Sequence, residues 1–145
     1  HNPANTKVAE VFSDPPINYL PFTVEGQAAR LGKNIEFMLT HHLQFLPAGQ
    51  YLFGIRSNHL SLNRTSSEDT EIRTNVQLAE INGSETFIHV NYDNSRLVVQ
   101  EDGVHPHRMG TEISIYVHPS CFFVFDEAGV LVVSPARYTI EKGLR

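Results

Sequence analysis

The sharpest candidate chemistry in this chain of 145 residues is His105-Pro106-His107 followed by Glu112. A His-x-His pair can put two imidazoles on one strand face, and a carboxylate five residues on could complete a metal site. The segment Glu101 to Thr111 reads as a loop, however, so ordinary loop histidines are the expectation. His41-His42 is a weaker candidate, because adjacent residues at a strand end face opposite ways. The single cysteine, Cys121, lies in Ser120-Cys121-Phe122-Phe123. It reads as a buried thiol on an apolar strand, since a nucleophile needs an exposed, electropositive setting.

The His105 and His107 pair resembles the first half of the cupin metal motif, but the glycines expected around it are missing and no later His follows Pro135. Other catalytic signatures are lacking. The chain has no Gly-rich phosphate loop, no Gly-x-Ser-x-Gly elbow and no His-Glu-x-x-His. Tyr51, Phe53, Phe87, Tyr92, Phe122, Phe123 and Phe125 could stack nucleobases, yet core packing is the better reading. The charge balance agrees. With 11 Lys+Arg against 16 Asp+Glu the net charge is −5, a poor fit to a nucleic-acid tracker that needs clustered positive charge.

Composition sets the frame for these residues. Apolar residues make up 41% and charged residues 19%, which excludes wholesale disorder and allows one domain with a real core. No apolar run approaches the roughly 20 residues of a membrane-spanning helix. One cysteine excludes an internal disulfide and suits a reducing compartment. Two glycosylation sequons, at Asn63 and Asn82, read as chance occurrences. No signal peptide is visible, and the start at His1 suggests that an N-terminal part is missing.

The elements that must position these residues are strands. Asn5 to Phe12 has helical spacing with Asn5 as its cap, and Asp14-Pro15-Pro16 stops it. After that the period is two. Ile35, Phe37 and Leu39 alternate with Glu36 and Thr40, Tyr51, Phe53 and Ile55 share one face, and Ile72, Val76 and Leu78 share a face with Thr74. Ile88, Val90 and Tyr92 repeat the pattern, as do Ile113, Ile115 and Val117. Turns are expected at Asn82-Gly83, Asp93-Asn94-Ser95 and Glu127-Ala128-Gly129. Strands are therefore predicted near 17–24, 27–31, 35–40, 51–56, 72–81, 85–92, 96–101, 112–118, 121–126 and 130–134. Many short antiparallel strands imply an all-β barrel or sandwich. The polar run Asn63 to Glu71 reads as a solvated loop between two β lobes, about 17–62 and 72–134.

A series of short motifs carries a resemblance. Asn2-Pro3-Ala4-Asn5 through Val8-Ala9, Phe12-Ser13-Asp14-Pro15-Pro16 and Ile17-Asn18 resembles "P-A-N-x-F-V-A-x-F-I-G-S-P-x-M-N". This is the junction after the ATPase domain in ATP-binding subunits of ABC importers of the maltose and glycerol-phosphate type. Gly54-Ile55-Arg56-Ser57-Asn58-His59-Leu60 is similar to that family's "G-I-R-P-E-H-L". Ala79-Glu80-Ile81-Asn82-Gly83-Ser84-Glu85-Thr86 resembles "v-E-x-x-G-S-E-T", and Phe125-Asp126-x-x-Gly129 resembles "l-F-D-x-x-T-G". The order and spacing hold across residues 1 to about 134.

The resemblance implies an oligonucleotide-binding-like antiparallel barrel of two intertwined lobes, related to the molybdate-binding domain fold, after a short N-terminal helix. Residues 1–16 would be the tail of a missing ATPase domain and its linker, 17–134 the regulatory β domain and 135–145 a C-terminal tail. The implied role is regulation and pairing without catalysis, at the cytoplasmic face of the membrane. ATP and Mg would be bound by the longer subunit, and no cofactor by this chain. The implied partners are a second ATP-binding subunit, the permease through the ATPase domain, and a cytoplasmic regulator; nucleic acid is not among them. Motif positions Gly54, Arg56, Gly83, Ser84, Phe125, Asp126 and Gly129 are expected to be structural, and Glu80 and Glu85 to cap the hairpin or face a partner. Ser57-Asn58 departs from Pro-Glu, Ser13-Asp14 from Gly-Ser, and Ala128 from Thr. The alternatives are an oxyanion-binding domain of the molybdate type and a cupin-like metalloenzyme.

Overall fold

A computed structural model describes residues 16–135. The expected helix at Asn5 to Phe12 and residues 136–145 of the expected C-terminal tail lie outside the described residues. Among the described residues, eleven strands form two antiparallel sheets: β1 (Ile17–Glu25), β2 (Ala28–Leu31), β3 (Ile35–Met38), β4 (Gly49–Arg56), β5 (Leu60–Ser61), β6 (Thr70–Asn82), β7 (Glu85–Tyr92), β8 (Ser95–Asp102), β9 (Glu112–Val117), β10 (Phe123–Phe125) and β11 (Leu131–Val133). One sheet has the order β11-β10-β4-β1-β2-β3 and the other β5-β9-β6-β7-β8. The last two strands thus return to complete the sheet that the first four build. Each of the ten predicted strands overlaps an observed one; the two-residue β5 is too short to leave a periodic signal.

The sheets face each other across one core and form a nearly closed barrel. Leu20, Phe22, Val24, Phe53 and Ile55 point inward from the first sheet. Ile72, Val76, Ile88, Val90, Leu97, Val99, Ile115 and Val117 point inward from the second. Phe22 stacks on Phe53 at 4.6 Å, Phe37 on Phe122 at 5.7 Å, and Phe53 meets Phe122 edge-on at 5.1 Å. Rings at these separations add to the free energy of burial itself. A smaller cluster of Ile17, Phe123 and Phe125 lies on the outer face of the first sheet.

Three local departures from the sequence reading have physical causes. Ile72, Thr74 and Val76 are buried in alternation, but Leu78 is 43% exposed instead of sharing their face. The β6–β7 register shifts between Val76 and Leu78, and the inserted residue reverses the alternation, so that Ala79 packs against the core. At the hairpin, Asn82 still pairs with Glu85, so the two-residue loop is Gly83-Ser84 rather than Asn82-Gly83. Gly83 alone takes the positive φ, +67°, at its first position. Finally, Cys121 ends a 3-10 turn (Pro119–Cys121) and is partly exposed, because Pro119 and the Ser120-to-His118 cap interrupt the strand.

Candidate functional site

The motif positions are mostly absorbed by the fold. Gly54 sits in the middle of β4, between β1 and β10, where a methyl group would lie 3.0 Å from Ile17 Cγ2 and 3.3 Å from Phe125 Cε1. The Arg56 guanidinium lies over the Phe123 ring at 5.3 Å. Asp126 Oδ1 accepts from the backbone N–H of Ala128 (2.9 Å) and Val130 (3.0 Å), and Gly129 takes φ +84° in the same turn. Glu80 accepts from His89 Nε2 across the β6–β7 ladder at 2.8 Å. Ser84 O accepts from Gly103 N at 2.6 Å, tying the hairpin to the loop after β8.

Glu85 belongs to a polar chain. It accepts from Gln100 Nε2 (2.8 Å), and Gln100 Oε1 accepts from Ser57 Oγ (3.2 Å). Ser57 is fully buried and its N–H donates to Pro16 O at 2.9 Å. The proline found here in the resembled motif could make neither bond, so the substitution is matched by a different way of holding the turn. These residues border a cleft of about 370 Å³ lined by Asn58, Leu60, Ser61, Glu85, Gln100, Glu101 and Asp102. Its charged side chains are all carboxylates.

The metal-ligand candidates at His105, His107 and Glu112 are not brought together. His105 Nε2 donates to Asp102 O at 2.6 Å, and its backbone N–H donates to the buried Thr86 Oγ1 at 2.9 Å. Glu112 accepts from Arg73 Nη2 at 2.6 Å across β6 and β9. The two adjacent histidines do face different ways, although in a 3-10 turn (His41–Leu43) rather than a strand. His42 Nε2 donates to Phe122 O at 2.6 Å, and burial pushes its pKa below the usual imidazole range.

Sequence reasoning did not find a second constellation, formed by His41, Glu68 and His118. Their donor atoms lie within 4.8 Å of one another, the one such group among the described residues. His41 Nε2 is 3.4 Å from Glu68 Oε2, and His118 Nε2 is 3.2 Å from Glu68 Oε1. The two rings are 5.4 Å apart. His41 holds a positive φ of +56°, a region that non-glycine residues enter at some cost. The three positions are 27 and 50 residues apart along the chain, so no local spacing could have marked them.

The polar run Asn63 to Glu71 is largely exposed, and within it the buried Asp69 ties the loop together. Its Oδ2 accepts from Thr65 N (2.8 Å), Thr65 Oγ1 (3.2 Å) and Ser66 N (3.2 Å), while Arg64 donates to Asp69 O at 2.8 Å. Glu68 N donates to Ser66 Oγ at 3.1 Å in the same turn. This bonding presents Glu68 to the two histidines. Beside it lies a cleft of about 290 Å³ whose lining includes Thr65, Asp69, Tyr116, His118, Ser120 and Cys121.

The chain is 28% identical over 138 aligned residues to a lactose transport ATP-binding protein of Rhizobium radiobacter, covering 88% of this chain and 38% of that protein. It is 29% identical over 143 residues to an sn-glycerol-3-phosphate import ATP-binding protein of Chromohalobacter salexigens, covering 96% and 38%. The chain therefore spans well under half the length of these curated relatives. Among solved structures, the cytoplasmic molybdate-binding protein ModG superposes with a TM-score of 0.56 at 13% identity, over 74% of this chain and 94% of that one. That likeness places the fold among molybdate-binding-domain barrels. Residues 53–125, from β4 through β10, match the TOBE domain model, and the chain belongs to the TOBE domain family.

Proposed function

We propose that this chain is the non-catalytic, C-terminal regulatory and pairing domain of the ATP-binding subunit of an ABC importer for a sugar, polyol or sugar phosphate. The observation that carries the reading is the alignment with two such subunits along nearly the whole chain. The motif positions shared with that type have structural roles here, at Gly54, Gly83, Asp126 and Gly129. ATP and Mg would bind the longer protein outside this domain. Its partners would be a second ATP-binding subunit, the permease and a cytoplasmic regulator, at the inner face of the membrane. No helix among the described residues is long and apolar enough to cross a membrane.

The mechanism is geometric. Two barrels in contact hold their ATPase domains at high effective concentration while those domains open and close. A regulator that prefers one arrangement biases the cycle by its difference in affinity. The second lobe offers a surface for such contact. Leu78, Ile81, Val104 and Met109 are exposed on it, and Gly110 N donates to Val76 O at 2.8 Å, which brings the loop after β8 alongside β6.

Oxyanion binding of the molybdate type has less support. The cleft at the hairpin is lined by Glu85, Glu101 and Asp102, whose negative charge opposes an anion. The deciding experiment removes residues 17–134 from the longer protein. Nucleotide binding is expected to persist and subunit pairing, measured by sedimentation, to weaken. Lost nucleotide binding or unchanged pairing overturns the reading.

A further inference from the structure

We propose that His41, Glu68 and His118 form a binding site for a divalent metal ion of the zinc class. The site is independent of the functional reading above. The ligands are two imidazole nitrogens and a carboxylate, a donor set that suits zinc and disfavours calcium or magnesium, which take oxygen. The three donors are within reach of one ion, since one donor atom from each residue lies within 4.8 Å of the other two. His41 Nε2 stands 3.4 Å from Glu68 Oε2 and His118 Nε2 3.2 Å from Glu68 Oε1. With metal–ligand bonds of about 2.0–2.1 Å the corners of a tetrahedron lie roughly 3.4 Å apart, so side-chain rotation closes the rest of the distance.

The surroundings position all three donors. His118 Nδ1 is 2.7 Å from Ser120 Oγ and 3.1 Å from Ser120 N. With the proton on Nε2, the ring accepts from Ser120 N–H and donates to Glu68. With the proton on Nδ1, it gives up the bond from Ser120 N–H, donates to Ser120 Oγ and frees the Nε2 lone pair for a metal. The second tautomer has the outer hydrogen bond that metal-ligating histidines ordinarily make. Asp69 fixes the turn that carries Glu68. His41 reaches the site from a left-handed backbone conformation, and such strain collects where a side chain must be aimed.

The three ligands come from the β3–β4 connection, the β5–β6 loop and the segment after β9. A bound ion therefore ties loops of both sheets together at one end of the barrel. Three protein ligands leave one coordination position open to water or to a group from a partner.

The test is a calorimetric titration of chelator-treated protein with zinc sulfate. The expected result is one zinc per chain at micromolar or tighter affinity, with a raised melting temperature by linkage. Glu68→Gln, on an exposed side chain, is expected to weaken binding at least tenfold without unfolding the protein. His41→Ala and His118→Ala are each expected to do the same, and Ser120→Ala to weaken binding about tenfold through His118. A joint His105→Ala and His107→Ala variant should bind zinc as before. Cobalt should give the strong visible absorption of a tetrahedral site. No stoichiometric zinc, undiminished binding in the joint His41→Ala and His118→Ala variant, or loss only in the His105 and His107 variant overturns the proposal.

Discussion

The side-chain amide of Asn18 pairs with the backbone of Val98 as a neighbouring strand would. Asn18 Nδ2 donates to Val98 O at 2.9 Å, and Val98 N donates to Asn18 Oδ1 at 2.8 Å. Asn18 lies on β1 of the first sheet and Val98 on β8, the edge of the second. One buried amide thus satisfies both polar groups of an edge residue and joins the two sheets. Asn18 is also the last residue of the junction motif.

Asn18→Ala is expected to destabilise the domain by roughly 2–4 kcal/mol. Two net hydrogen bonds of about 1 kcal/mol each are lost, and a buried N–H and C=O are left with a smaller chance of reaching water. Asn18→Asp should also destabilise, because a carboxylate cannot donate to Val98 O and would itself be buried. Urea unfolding monitored by circular dichroism measures both. A change below about 0.5 kcal/mol for Asn18→Ala would show that the bridge is incidental.

Gly54→Ala tests close approach inside a sheet. The added methyl meets Ile17 Cγ2 at 3.0 Å, Phe125 Cε1 at 3.3 Å and Tyr19 Cε1 at 3.4 Å. Overpacking of this kind costs about 1–3 kcal/mol. Ile17→Ala removes the nearest atom, so the double variant should be less destabilised than the sum of the two single ones. A double-mutant cycle on unfolding free energies reads that coupling. Strict additivity would mean that the contact does not explain the glycine.

How far the sequence disclosed these features depended on their range. Period-two runs and turn residues marked ten strands because each signal lies within a few residues. The Leu78 error shows the limit. Alternation predicts one face for Ile72, Val76 and Leu78, and only the partner strand's register reveals that a bulge breaks it. Asn18 reads locally as a polar residue after two prolines, and nothing nearby foretells Val98, 80 positions away. The same holds for His41, Glu68 and His118. The adjacent His41-His42 and the neighbouring His105 and His107 are close in sequence, so local spacing marks them as candidates. The constellation that the fold assembles joins three separate connections.

The final hairpin offers a local test. Asp126 Oδ1 accepts two backbone N–H groups, from Ala128 and Val130, and Val130 O accepts from Asp126 N at 2.9 Å. Asp126→Ala should cost about 1–2 kcal/mol, the range for losing a side-chain acceptor that holds a turn. Asp126→Asn keeps a carbonyl acceptor and should recover at least half of that. Equal losses in the two variants would assign the effect to charge rather than to turn geometry.

The exposed apolar residues of β6 and of the loop after β8 bear on the proposed pairing. Leu78 is 43% exposed and Met109 75% exposed, so an aspartate at either position adds charge without opening the core. Stability should change by less than about 0.5 kcal/mol in each single variant. Burying that charge at an interface would be costly, and a penalty of about 1.4 kcal/mol weakens association tenfold. Sedimentation of the longer protein over a wide concentration range should therefore show weaker pairing for Leu78→Asp and Met109→Asp, and weaker still for the two combined. The contrasting control is Phe45→Asp, on the most exposed aromatic of the first lobe, at 86%. It should leave pairing unchanged if contact runs through the second lobe. Weakened pairing with Phe45→Asp and none with the other two would move the interface to the first sheet.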